Sequence, residues 1–170
     1  MIQMKPVSVA DAAIQDLYEE AFPKEERRPW PQQLSLIAAG KIRILRISKG
    51  DLFAGFVFYW HLPLFNFIEH FAIHADARGG GAGTQVMQLL EKQLGTIILE
   101  VEPPITEQAI RRIAFYERLG YQTFPDAYEQ PPYYPEFPPL ALRIMHKGFP
   151  PGEANFAVVK DQLYQYVYTK

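Results

Sequence analysis

Residues 67–84 read FIEHFAIHADARGGGAGT, and the chain changes character twice within them. Phe67 to Ile73 is an apolar run broken only by Glu69 and His70, the pattern of a strand. His74 to Ala77 is a polar turn. Arg78 follows, and then Gly79, Gly80, Gly81 and Gly83 within five residues. From Thr84 to Leu94 the period becomes helical, with Val86, Met87, Leu90 and Leu94 on one stripe. Strand, glycine-rich turn and helix are predicted in that order. The first N–H groups of a helix have no partner inside it, and the helix dipole favours an anion there. Glycine lets the backbone approach such an anion, because no Cβ intervenes. The same glycines also suit a loop that merely turns the chain. Two other phosphate loops fail on spacing. GxxxxGK[ST] requires a lysine that the stretch from Gly79 to Thr84 lacks. GxGxxG fails because Gly79-x-Gly81 leads to Thr84, and Gly81-x-Gly83 to Val86.

The spacing that fits is Arg-x-x-Gly-x-Gly, carried by Arg78, Gly81 and Gly83. On these residues the stretch resembles the GNAT family of acyl-CoA-dependent N-acyltransferases, whose Gln/Arg-x-x-Gly-x-Gly/Ala loop grips the pyrophosphate of coenzyme A. Phe71-Ala72-Ile73 stands where that family has an apolar strand signature, and the four-residue gap from Ile73 to Arg78 is similar too. A second motif, similar to the family's, is Ala114-Phe115-Tyr116-Glu117-Arg118-Leu119-Gly120-Tyr121, about 35 residues downstream. The resemblance covers Phe67 to Tyr121. It implies an α/β (α+β) fold with a mixed central sheet and helices on both faces. It implies acetyl-CoA as co-substrate and no metal. The cofactor residues it implies are Phe71, Ala72, Ile73, Arg78, Gly79, Gly80, Gly81, Ala82, Gly83 and Thr84, with Phe115 packed beside the cofactor. One position departs from the pattern. Many members carry an asparagine seven residues before the tyrosine, and here that residue is Ala109; Arg111 or Arg112 would have to replace its contact.

With 170 residues, one domain spanning 1–170 is expected. Apolar residues make up 48% of the chain, enough for a sizeable core. Seventeen basic and nineteen acidic side chains leave a net charge of −2 with no basic stripe, so nucleic acid is not expected as a partner. The chain has no cysteine, which excludes disulfides, thiolate metal sites and a cysteine nucleophile, and is compatible with a reducing cytoplasm. The N-terminal stretch lacks the apolar core of a signal peptide. The most apolar stretch, Leu52 to Phe67, is interrupted by Gly55, His61, Pro63 and Asn66, so no membrane span is expected. A homodimer is compatible with these bounds.

In chain order, Met4 to Val9 reads as a first strand, and Ser8-x-x-Asp11 as a capping box. The helix it opens would bury Ala10, Ala13, Ile14, Leu17 and Tyr18. The proline-bracketed segment from Pro23 to Pro31 reads as a solvated loop, or as a lid carrying Arg27, Arg28 and Trp30. Gln32 to Ala39 is a short helix. Lys41 to Ser48 alternates as a strand with one wet face, given one slip at Leu45, and Lys49-Gly50-Asp51 turns it into the strand Leu52 to His61. Phe65 to Ile73 and Thr96 to Glu102 are further strands. Thr106 caps a helix to Leu119, with Gly120 as its stop. Gln122 to Pro139, rich in proline and tyrosine, is a long irregular segment of the kind that carries function or moves. Leu140 to Lys147 is a last strand, and Asn155 to Tyr168 a helix docked through Phe156, Val159, Leu163 and Val167. Strands before Gly79 form antiparallel hairpins. Those after it alternate with helices and imply parallel crossovers.

Acyl transfer from a thioester to an amine needs a cofactor anchor, oxyanion donors, a base and an acid. Arg78 to Thr84 supplies the anchor. For the oxyanion, the resemblance implies backbone groups of Phe71 to Ile73, which would also pair with the pantetheine arm. Four side chains are candidates for the base. Glu69 and His70 are expected on opposite faces of one strand, and Glu100 and Glu102 on one face of another. Glu69 ranks first, Glu100 second and His70 third; a water held by one of them would also serve. Glu102 is equally read as fraying into solvent beside Pro103. Tyr116, on the stripe Ala109, Ile113, Tyr116, Gly120, is the candidate acid, against the reading of a plain core tyrosine.

The expected activity is N-acetylation of a primary amine, small molecule or peptide terminus, by direct attack in a ternary complex. Acidic residues around the cleft point to a cationic acceptor. The rivals are a catalytically silent acyl-CoA-binding module and a nucleotide-binding protein using the same turn.

Overall fold

The computed structural model describes residues 1–169. Its centre is a mixed sheet of eight strands. β1 (Ile2–Val7), β2 (Arg43–Lys49), β3 (Leu52–His61) and β4 (Asn66–Ile73) pair antiparallel in that order. β5 (Ile97–Val101) lies parallel to β4, and β8 (Leu140–Lys147) antiparallel to β5. Two short strands within the proline-rich segment, β6 (Gln122–Thr123) and β7 (Tyr128–Gln130), also pair antiparallel with β8. The expectation of several parallel crossovers is therefore corrected to a single parallel pair. β8 inserts antiparallel between β5 and β6, which separates strands that α4 would otherwise bring side by side.

Helices cover both faces, as the sequence leads one to expect. α1 (Ala12–Ala21), α2 (Trp30–Ala38) and α5 (Phe156–Gln162) lie on one face, over Phe56, Phe58, Phe67 and Ile98. α3 (Ala82–Leu94) and α4 (Glu107–Arg118) lie on the other, over Val57, Ile68, Ile97 and Leu99. Each buried aliphatic or aromatic side chain of this kind contributes about 1.5–3 kcal/mol by leaving water. β2 corrects the one-wet-face reading. Ile44 packs into the first core while Leu45 and Ile47 pack into the second, and the register shift falls after Ile47 rather than at Leu45. A strand with neighbours on both edges and helices on both faces has no wet side to spare.

Local signals decide the helix ends with two exceptions. Thr106 caps α4, its side chain accepting from the Ala109 N–H at 3.1 Å. α1 is capped by Asp11, which accepts from the Ile14 N–H at 3.0 Å, so Ser8 is not the cap and Ala10 lies outside the helix. α2 begins at Trp30, two residues early, because Pro31 fits the first turn of a helix. The C-terminal helix ends in one turn of π-helix, Leu163–Val167, with Val159, Leu163 and Val167 buried as expected.

Two irregularities in β4 shape the site. Phe58 pairs with His70 but Tyr59 pairs with Ile68, so Glu69 is an extra residue, a β-bulge. The β4–β5 ladder also stops at Ile68–Leu99, although β4 continues to Ile73 and β5 to Val101. Beyond that point the two strands part.

Candidate functional site

The parting of β4 and β5 opens a cleft of about 620 Å³. Ile68, Glu69, Phe71, Ala72 and Ile73 line one wall, Leu99, Glu100 and Val101 the other. α4 closes its side with Gln108, Arg111, Arg112, Phe115 and Tyr116, and Arg78 and Gly83 stand at its end. A larger hollow, about 720 Å³, lies beside α3 and Met1. Its one carboxylate, Glu91, is already paired with Lys147, so the chemistry points to the smaller cleft.

The glycine turn presents open backbone at a helix N-terminus. Gly79, Gly80 and Gly81 have φ of 90°, 61° and 77°, the left-handed region that glycine occupies without strain. A Cβ on any of the three would meet nothing within 4 Å, so the space before them is open. Gly81 is the N-cap of α3, and no side chain caps that helix end. Ala82 lies buried in the first turn, and Thr84 follows Gly83 within it. Arg78 is exposed, its Nε donating to the Ile73 carbonyl at 3.1 Å. Gly83 differs: a Cβ there would lie 3.4 Å from the Phe115 ring, so α3 and α4 approach to contact distance at this point and a larger side chain would press on Phe115. Open glycine backbone, a free helix N-terminus and three nearby arginines fit the pyrophosphate of an acyl-CoA.

The carboxylates behave differently from one another. Glu69 and His70 do not lie on opposite faces: the bulge at Glu69 breaks the alternation, and both turn toward the α1 side. The Glu69 carboxylate is enclosed. It takes Arg28 Nη1 at 2.7 Å and Trp60 Nε1 at 2.8 Å on Oε1, and the Tyr133 hydroxyl at 2.6 Å on Oε2. Burial alone would raise its pKa, but the Arg28 charge, helped by His70 and hydrogen bonds from Arg28 and Tyr133, lowers it to about 2. His70 packs edge-on against Tyr18 and Phe22, and its Nε2 meets the Glu26 carbonyl at 2.8 Å. Burial holds its pKa below the usual histidine value.

Glu100 has no cation in contact. Its Oε2 accepts from the Tyr128 hydroxyl at 2.5 Å, and its Oε1 from Gln130 Nε2 at 2.8 Å and the Tyr168 hydroxyl at 2.6 Å. Burial pushes its pKa up to about 7 although all three donors pull it down. A carboxylate offers about four acceptor sites, so one on Oε2 is left. Glu102 lies past the end of β5 and is exposed. It raises the pKa of Glu26, whose shift comes first from burial.

Tyr116 lines the cleft from α4, its ring 5.2 Å from Phe115 and 5.6 Å from Tyr121 between centroids. Burial raises its pKa, with Arg112 pulling the other way, so it stays protonated near neutral pH. Ala109, in the place of the family's asparagine, is buried, while Arg111 and Arg112 reach the cleft.

Sequence reasoning missed the side chains that hold the carboxylates. Arg28 is 2% exposed, so its loop is pinned into the core rather than solvated. Tyr128, Gln130 and Tyr133 come from the proline-rich segment, and their one visible signal was the density of tyrosine there.

A family model described as "Acetyltransferase (GNAT) family" matches residues 12–121. A solved structure assigned to that family, from Bacteroides thetaiotaomicron, is 32% identical, with 99% of each chain covered and a TM-score of 0.91. A ribosomal-protein-alanine N-acetyltransferase from Brucella melitensis shares the fold at 17% identity, with 88% of this chain and 99% of that one covered and a TM-score of 0.60. So does a GNAT family acetyltransferase from Elizabethkingia anophelis with acetyl-CoA bound, at 10% identity, 87% and 98% coverage and a TM-score of 0.58. No curated protein sequence matches the chain.

Proposed function

The chain belongs to the GNAT family of acetyltransferases, and from that premise we propose that it acetylates a primary amine with acetyl-CoA in the cleft between β4 and β5. The observation that carries the reading is that this one cleft joins Arg78 and Gly83, which flank the open glycines, to Glu100 and Tyr116. Acetyl-CoA would supply the activated acetyl thioester. Arg78 to Thr84 would hold its pyrophosphate, Phe115 would pack against it, and the unpaired edge of β4 from Phe71 to Ile73 would offer N–H donors where negative charge develops.

The base is assigned to Glu100 in preference to Glu69. An amine arrives as an ammonium and must lose a proton before it attacks. A carboxylate held at about 7 can accept that proton and return it to water near neutral pH. Glu69, at about 2 and ion-paired, is too weak a base, and its work is to hold Arg28 in place. Tyr116 would donate to the departing thiolate. Direct attack is favoured because the chain has no cysteine to carry the acyl group.

The acceptor is read as cationic. Burial first, and then the nearby Glu102 charge, raise the Glu26 pKa, so acidic groups gather beside Arg112 of the cleft wall and a positive substrate would offset them. No helix among the described residues is long and apolar enough to cross a membrane, and none of their His, Asp and Glu groups could hold a metal ion. The deciding experiment is an acetyl-CoA turnover screen over polyamines, amino acids, aminoglycosides and peptide N-termini. CoA release that depends on a cationic amine is expected. Binding of acetyl-CoA without turnover on any amine would overturn the reading in favour of a silent binding module.

A further inference from the structure

Two adjacent residues near the end of the C-terminal helix reach both buried carboxylates from one place. The π-helical turn Leu163–Val167 ends the C-terminal helix with one extra residue per turn, a feature often found at functional sites. It delivers two adjacent groups inward. The Val167 carbonyl accepts from Arg28 Nη2 at 3.3 Å, on the far side of the guanidinium that holds Glu69. The next residue, Tyr168, donates its hydroxyl to Glu100 Oε1 at 2.6 Å. Gln130 Nε2 donates both to that hydroxyl, at 3.1 Å, and to the same carboxylate oxygen, at 2.8 Å. Tyr133 packs between the two centres, its ring 6.0 Å from Tyr168 and its hydroxyl on Glu69.

We propose that Tyr168 is a positioning residue for Glu100: the π-turn fixes its hydroxyl on Oε1, so that the carboxylate keeps one orientation with Oε2 turned to the acceptor. It rests on the reading of Glu100 as the base. The geometry is a three-point hold. Tyr168 and Gln130 fix Oε1, and Tyr128 leaves one free acceptor position on Oε2. An α-helical residue turns the chain by about 100° and a residue of the wider π-turn by less, so the π ending sets the direction in which residue 168 leaves the helix. The turn itself is locked by Leu163 and Val167 in the core and by the Tyr164 hydroxyl on the Glu129 carbonyl.

The charged and titratable groups facing Glu100 are few. Tyr128 comes from β7, Tyr133 from the proline-rich loop, Tyr164 and Tyr168 from the C-terminal segment, and Glu69 from β4 with its charge offset by Arg28. Only the Tyr128 and Tyr168 hydroxyls and the Gln130 amide donate to the Glu100 carboxylate; Tyr133 donates to Glu69 and Tyr164 to the Glu129 carbonyl. A donor to the ionised form lowers a carboxyl pKa, so removing one raises it.

The test reads Glu100 itself and needs no acceptor. In the full chain labelled with 13C at glutamate Cδ, the Glu100 signal is assigned by its loss in Glu100→Gln, and its titration midpoint is measured. Tyr168→Phe should raise the midpoint by at least about half a pH unit. Tyr164→Phe disturbs the same turn without touching Glu100 and should leave the midpoint in place. An unmoved midpoint in Tyr168→Phe, or equal movement in both variants, overturns the proposal. If Tyr168→Phe fails to fold, 3-fluorotyrosine at position 168 replaces it; this stronger donor should lower the midpoint, and no change overturns the proposal. Failure of the underlying reading shows separately: Glu100→Gln with undiminished turnover would remove Glu100 as base, whatever Tyr168 does to its titration.

Discussion

The Arg28 guanidinium lies 2.7 Å from the Glu69 carboxylate, with side chains 3% and 0% exposed. Neither charge is in water, so each depends on the other. Arg28→Met should therefore destabilise the fold by about 3–5 kcal/mol, as breaking a buried pair does. The pH dependence has a definite sign. The Glu69 pKa is lowered from 4.5 unfolded to about 2 folded, so its stabilisation is complete above 4.5 and is lost as pH falls toward 2. Urea unfolding of the native chain should weaken steeply over that window. A stability flat between pH 5 and pH 2.5 would contradict the pairing.

Glu100 carries the opposite sign. Its pKa is raised from 4.5 to about 7, so the fold is most stable with Glu100 neutral, and that advantage is lost as pH rises through about 7. Glu100→Gln keeps the group neutral at every pH. Its melting temperature should equal or exceed that of the native chain at pH 8, while kcat drops by about 10²–10⁴. The native kcat/KM should show an acid limb with a midpoint near 7, absent from the variant's residual activity. A variant that is fully active and less stable than the native chain at pH 8 would remove Glu100 from both roles.

Tyr116→Phe removes one hydroxyl and keeps the ring against Phe115 and Tyr121. A donor to the leaving thiolate is worth about 10²–10⁴ in rate, so kcat should fall within that range. Acetyl-CoA affinity should change less than about threefold, since that is under 1 kcal/mol. Because burial raises the Tyr116 pKa above 10, it should produce no alkaline limb below that pH. Normal turnover with a lower melting temperature would make Tyr116 a packing residue only.

At the glycine turn the two kinds of glycine should separate. Gly80→Ala has open space but a φ of 61°, so it strains the backbone by about 1–2 kcal/mol. Gly83→Val has an ordinary helical backbone but drives its side chain toward Phe115 and the cleft. It should weaken acetyl-CoA binding at least tenfold, about 1.4 kcal/mol, with the fold retained. Calorimetry showing unchanged affinity in Gly83→Val would move the cofactor away from this turn.

The sequence by itself determined what local chemistry controls. The glycine turn, the Thr106 cap, the buried stripe of α3 and the side of α4 that carries Ala109 and Tyr116 depend on neighbours within a few residues, and they were legible. The tertiary structure decided how the carboxylates behave. Arg28 reaches Glu69 across 41 residues, Tyr133 across 64, and Tyr168 reaches Glu100 across 68. No period or spacing encodes such contacts. The bulge at Glu69 was hidden for a related reason, since alternation is read along one strand whereas a bulge is defined only against its partner. Two glutamates that look alike in sequence thus acquire pKa values near 2 and 7, because an arginine faces one and only neutral donors face the other.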